Sequence, residues 1–274
     1  MTRMVTWSNT ASNVPAVAAE HRCNARRDHV ASLSMFARKN GLIALGAALV
    51  AGGLAAVALG QDIVPPPLVV TVKVTPSKAG TPRHPQGIEV EVRGKLNLPE
   101  AVPGPVAGSV DVWLPKGWVY NGARHPACTA AKLSVGGPSA CPPESIIGGS
   151  PLFVVERPDA STPTRVTIIN GGPTTMYFWT VLQNPARVQA VVTGTLTKLN
   201  SPRWSYRLHA VVPRTLQVVA GIPISLDTFA ANVRRGAWIT TTSCPRDRRW
   251  HYRIEISSTS NETFTTSGVI PCRS

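Results

Sequence analysis

The chain has 274 residues, 43% of them hydrophobic and 15% charged, enough apolar material for a buried core and too much for a disordered tail. Its 25 prolines and 22 glycines against 6% aromatics fit many short strands joined by turns and exclude a helix bundle. The formal charge is +14, and residues 61–274 alone carry 22 basic and 12 acidic side chains; 16 of those 22 are Arg amid abundant Ala, Gly, Pro and Val, so the excess reads as the bias of a GC-rich genome and not as a nucleic-acid footprint.

Residues 1–34 read as an extension ahead of a true start at Met35, because so long a polar preamble is foreign to a signal peptide, whereas Met35-Phe36-Ala37-Arg38-Lys39 opens one of ordinary length. On that reading Cys23 and the pair Arg26-Arg27 carry no function. A twin-arginine signal is the sharper alternative, but no Phe-Leu-Lys follows the pair closely. Gly41 to Leu59 then runs for nineteen residues without a charged or strongly polar side chain, directly after Arg38 and Lys39, which marks a membrane-inserting helix with its amino end held in the cytoplasm. Ala58-Leu59-Gly60 has the small-residue form that a signal peptidase accepts, so 35–60 is expected to be a signal peptide cleaved after Gly60. An uncleaved anchor is the alternative, since nineteen residues at about 1.5 Å each nearly span a hydrocarbon core of about 30 Å. No Cys follows the cleavage site, so a lipoprotein anchor is excluded. Export, to the envelope or beyond it, is the expected localisation.

Residues 61–67, with Pro65-Pro66-Pro67, form an extended spacer. The body, 68–274, is dominated by a period of two: Val70, Val72 and Val74; Ile88, Val90 and Val92 against Glu89, Glu91 and Arg93; Val110, Val112 and Leu114; and Trp250, Tyr252, Ile254 and Ile256 against Arg249, His251, Arg253 and Glu255. TMYFWTVL, residues 175–182, is apolar on both faces and predicts a strand covered on both sides. Further strands are expected at 152–156, 165–169, 187–197, 204–212, 215–220, 237–242 and 262–269. About twelve strands with one apolar face each predict an all-β, antiparallel β-sandwich behind the signal or anchor helix, built as one domain because no flexible linker divides it.

Setting Cys23 aside, four cysteines remain, Cys128, Cys141, Cys244 and Cys272. Beyond a membrane thiols oxidise, so two disulfides are expected, and of three pairings Cys128 with Cys141 and Cys244 with Cys272 closes the shortest loops. A zinc set fails on spacing, since there is no C-x-x-C and His125 has no second imidazole nearby. No metal or cofactor is expected.

The stretch LPKGWVYNGARHPACTAAKLSVGGPSACPPESIIGGSP, Leu114 to Pro151, joins a Leu-Pro-Lys-Gly strand end to Pro-x-Cys and then to Cys141-Pro142-x-x-Ser145. With Thr75 to Gly80 and the closing Cys244-Pro245 and Pro271-Cys272, it resembles exported β-rich proteins of actinobacterial type with two Cys pairs, a family of unknown function, over residues 68–274. The resemblance implies export, strands and disulfides, and no catalytic residue.

No motif identifies a reaction. Gly137-Pro138-Ser139-Ala140-Cys141 lacks the last Gly of a nucleophile elbow, Ser145 reads as a turn residue, and Glu89 with Glu91 reads as a solvated strand face. His84, His125, His209 and His251 do not pair at ligand spacing. Binding has more support. Arg234, Arg235, Arg246, Arg248, Arg249 and Arg253 gather within twenty residues against Asp247 and suit an anionic envelope polymer. Trp113 and Trp118 are candidates for an exposed sugar-stacking platform. The expectation is a secreted or envelope-associated, non-catalytic protein acting by surface contact, with a carbohydrate-binding module as the first alternative and a hydrolase whose site only folding assembles as the second.

Overall fold

The computed structural model describes residues 67–97, 104–156, 160–234 and 236–274, the side chains of 150–161 and 163 excepted. The extension 1–34 with Cys23, the segment 35–60 and most of the spacer lie outside the described residues. In chain order the elements are β1 (Leu68–Thr75), β2 (Gln86–Gly87), β3 (Glu89–Leu96), β4 (Ala107–Pro115), β5 (Trp118–Tyr120), α1 (Ala130–Gly136), β6 (Ile146–Glu156), β7 (Ala160–Asn170), β8 (Thr175–Leu182), β9 (Val188–Lys198), β10 (Trp204–Val211), α2 (Arg214–Gln217), β11 (Val218–Val219), β12 (Ile222–Pro223), β13 (Ser225–Val233), β14 (Ile239–Thr241), β15 (Arg249–Ser258) and β16 (Thr263–Pro271).

The all-β, antiparallel expectation holds, but the two stacked sheets of a sandwich are replaced by one. Eleven strands form a single sheet in the order β1-β3-β13-β6-β7-β8-β9-β10-β4-β15-β16, which curls until β1 and β16 lie side by side in a nearly closed barrel. Stacking two sheets and rolling one both bury an apolar face, so alternation alone does not choose between them. The seam is fastened at one end by backbone bonds, Ala79 N–H to Arg273 O at 2.7 Å and Arg273 N–H to Ser77 O at 2.8 Å. Partway along, the Tyr252 phenol donates across it to the Val70 carbonyl at 3.0 Å. Bare backbone eases the bending: Gly94 stands opposite Phe229 and Gly268 opposite Tyr252, and a Cβ at either glycine would run into the facing ring.

The period of two sorts side chains as expected. Val70, Val74, Val90, Ile254 and Ile256 are buried inside, while Glu91, Arg93, Asp111, His209, Arg253 and Glu255 engage one another on the outer wall. Apolar inward and charged outward is the reverse of a transmembrane barrel. Strand β8 is covered on both sides, as its sequence predicts: Met176, Phe178 and Leu182 face the interior, and Tyr177 and Trp179 face a small outer core with Cys128, Leu133, Cys141 and Ile169. That outer core belongs to the excursion between β5 and β6, whose helix α1 begins at Thr129, where the side chain accepts from Lys132 N–H at 3.3 Å.

Two local expectations are corrected. Residues 215–220 were expected as one strand and instead hold most of α2 and the two-residue β11, because Pro213 starts a helical turn. Strand β13 is not among the expected strands, since Asp227, Asn232 and two alanines give SLDTFAANV little strand character.

The barrel ends are closed differently. A three-stranded sheet, β2-β14-β5, forms a floor, and the Cys244–Cys272 disulfide ties the chain beyond β14 to the end of β16. The other end is crossed by the strap 212–224, which leaves β10 and enters β13, strands separated in the sheet by β6, β7, β8 and β9.

Candidate functional site

Inside the barrel lies a cavity of about 320 Å³. Its wall comes from β3, β4, β7, β8, β9, β10, β13 and β15, and Val212, Leu216 and Ile224 of the strap close it above, with Trp118 and Ile239 below. Thr180 and Trp118 contribute the only polar side-chain atoms of that lining, and the Thr180 hydroxyl turns back to the Phe178 carbonyl at 3.4 Å. Among the described residues no charged side chain lines it.

The interior is under-filled in a specific way. In a packed core, inward side chains in mid-strand are buried almost completely. Here Val110, Val112 and Leu114 on β4, Phe178 on β8, Leu208 on β10 and Leu226 and Phe229 on β13 point inward and are only partly buried. Toward the floor Ile88, Ile147 and Trp250 pack at 0% exposure, and at the strap end Leu68 and Ile256 are buried to 1% beside the seam. The space therefore lies among the half-buried side chains of β4, β8, β10 and β13, and its surface is apolar apart from Thr180 and Trp118.

Trp118 sits at the floor, 3% exposed, edge-on to Trp250 with centroids 5.8 Å apart. It offers no open face, so its expected role in an exposed sugar platform is corrected: the turn at Gly117 carries the chain into β5 beneath the barrel, not over its surface. Trp113 is on the outer wall, but Arg253 and Arg207 from the flanking strands lie over its ring at 4.8 and 5.3 Å. Its π-face is taken by guanidinium groups. The same wall holds Asp111, 4% exposed, which accepts from Arg207 at 2.7 Å and contacts His209 at 2.9 Å. Burial alone would raise the Asp111 pKa, but hydrogen bonds from Arg207 and His209 outweigh it and hold the carboxyl below its usual range.

The expected Arg cluster divides. Arg246, Arg248 and Arg249 are exposed together on the turn that leads into β15, where Asp247 accepts from Arg249 N–H at 3.2 Å and pairs with His251 at 2.7 Å. Arg248 adopts φ 55°, and its carbonyl accepts from Cys272 N–H at 2.9 Å, so the turn is pinned beside the second disulfide. Arg253 is drawn to Glu255 at 2.6 Å and to Trp113. Arg234 is exposed just after β13, and Arg235 lies outside the described residues.

Both disulfides form in the expected pairing, Cys128–Cys141 and Cys244–Cys272, which accords with an oxidising compartment. Ser145 is fully buried and donates to the Pro142 carbonyl at 2.6 Å, a turn residue as read. Asn170, also fully buried, fastens the first excursion to the barrel: its amide nitrogen lies 2.9–3.3 Å from the carbonyls of Gly122, His125 and Pro126, and its oxygen accepts from the Tyr120 hydroxyl at 2.6 Å. Among the described residues no group of His, Cys, Asp and Glu is placed to hold a metal, and no helix is long and apolar enough to cross a membrane. Compared with protein-family models, curated proteins and solved structures, the chain matches none.

Proposed function

We propose that this is an exported binding protein that holds an apolar chain, of the fatty-acyl class, inside its barrel. The observation that carries the reading is the ring of inward, half-buried aliphatic and aromatic side chains around an uncharged space of about 320 Å³. An engineered apolar cavity of about 150 Å³ stays dry and takes benzene, and this one is about twice that size. A methylene fills roughly the space of a water molecule, about 30 Å³, so the cavity has room for roughly ten of them. At about 0.8 kcal/mol for each buried methylene, the upper bound is about 8 kcal/mol, corresponding to a micromolar dissociation constant. Among the described residues the wall holds no cation, and a carboxylate inside would be unpaired, so the polar end of the ligand stays outside the cavity.

Export rests on the apolar segment Gly41 to Leu59 and is supported by the two disulfides. Titration of the full chain with a fluorescent long-chain fatty acid tests the reading. Saturable uptake near one chain per protein, displaced by unlabelled fatty acid, is the expected result. Absence of saturable uptake refutes it.

A further inference from the structure

The strap ends in a hairpin without a polar side chain. Val218-Val219-Ala220-Gly221-Ile222-Pro223-Ile224 is apolar throughout. Val218 pairs with Pro223 and Val219 with Ile222 around Ala220 and Gly221, both at positive φ, the turn geometry that gives a tight two-residue hairpin. One side of the hairpin is accounted for: Val219 and Ile224 pack against Leu182 at the barrel rim. The other is not. Val218 is 41% exposed, Ala220, Gly221 and Pro223 are exposed, and Val211, where the strap departs, is 56% exposed. Exposed cations stand at the same end: Arg214 on the strap, Arg187 on the β8–β9 connection and Lys95 near the end of β3.

We propose that this end of the barrel is a membrane-docking surface, with the hairpin 218–223 dipping into the apolar boundary of a bilayer and the cations meeting its anionic headgroups. An apolar tip beside basic side chains is the chemistry that binds such an interface. The path of the chain supports a bilayer as the occupant. Leu68 pairs with Leu96, and Lys95 beside it pairs with Thr228, near the start of β13 where the strap lands, so the chain enters the barrel at this rim. Where the segment is retained as an anchor, the apolar run 41–59 ends nine residues before Leu68, a separation of at most about 32 Å. The surface also covers the cavity mouth through Leu216, so docking would place the mouth against the source of an acyl chain; this purpose rests on the function proposed above, whereas the docking itself does not.

The test uses the full chain with Cys23→Ser, both disulfides intact, and an environment-sensitive fluorophore attached through Val218→Cys. A second protein carries it through Arg203→Cys, on the connection between β9 and β10 at the floor end. Vesicles of phosphatidylcholine with phosphatidylglycerol should brighten the Val218 label several-fold and shift it to the blue, while the Arg203 label stays unchanged. Equal responses at both sites, a response at Arg203 only, or none at either overturn the proposal; the last also identifies any partner of this end as something other than lipid. Fatty-acid uptake measured on the same samples keeps the two claims apart. A docking signal without uptake refutes the acyl-binding function alone, and uptake without a docking signal refutes the docking alone. In a further arm, Arg214→Glu should weaken the Val218 response several-fold on the anionic vesicles and leave affinity for fatty acid in solution unchanged.

Discussion

The most direct probe of an under-filled interior is to fill it. Val112 lies in mid-β4, points inward, and is flanked across the sheet by Leu208 and Ile254. Val112→Phe adds four carbons at that point. In a packed core such an insertion costs about 1–3 kcal/mol through strained rotamers and displaced backbone. With about 320 Å³ to expand into, the ring should be accommodated, and the unfolding free energy of the ligand-free protein should hold steady or rise. The same four carbons exclude roughly four methylenes of ligand, worth about 3 kcal/mol at 0.8 each. That corresponds to a loss of affinity of about two orders of magnitude. Urea unfolding with the disulfides intact reads the first quantity, and fatty-acid titration the second. Destabilisation beyond about 1 kcal/mol would show that the interior has no room, and unchanged affinity would show that the ligand does not sit there.

Other expectations test the surrounding framework. Asn170→Ala leaves the Tyr120 hydroxyl and the carbonyls of Gly122, His125 and Pro126 short of partners, and should destabilise the protein by about 3 kcal/mol or more in the same unfolding assay. The carboxyl of Asp111 is held below its ordinary value, so its contribution to stability is present above the unfolded pKa and is lost as pH falls through the lower folded value; an acid titration of stability should lose this component in Asp111→Asn. Removing Cys244 and Cys272 together, at a sequence separation of 28, should cost about 3–4 kcal/mol on the loop-entropy account, read as a lowered urea midpoint. Gly268→Val should displace the Tyr252 ring that lies over it and release the seam, giving faster amide exchange in β1 than in the parent protein.

Strand identity was legible in the sequence because burial on one face imposes a period of two, which β1, β3, β4 and β15 show, and because β8, covered on both sides, is apolar on both faces. Closure was not. Which strands neighbour one another depends on pairings between residues far apart in the chain, such as β13 inserted between β3 and β6, and no local pattern encodes them. Strand β13 was itself hidden: Ala230, Ala231 and Asn232 are poor strand formers, tolerated because the strand is paired on both sides. The tryptophans misled for a related reason. Trp118, next to a glycine turn, has the local surroundings of a surface residue, and only the fold of β5 beneath the barrel buries it.

The cavity poses a deeper limit. Val112 facing a void and Val112 facing a core are the same letter at the same place in the same alternation, since the pattern records which face avoids water and not what fills the space beyond. Volume is a property of the closed sheet, set by the number and tilt of its strands. The strap differs, because its message is local. Seven successive apolar residues around a two-residue turn, in a hairpin with strands of two residues, exceed what its own fold buries, with Val219 and Ile224 facing inward and Val218, Ala220 and Pro223 left outside. A run of apolar side chains that a hairpin cannot cover on both faces marks a surface that meets something apolar, and that inference needs only the sequence and the knowledge that the segment is a hairpin.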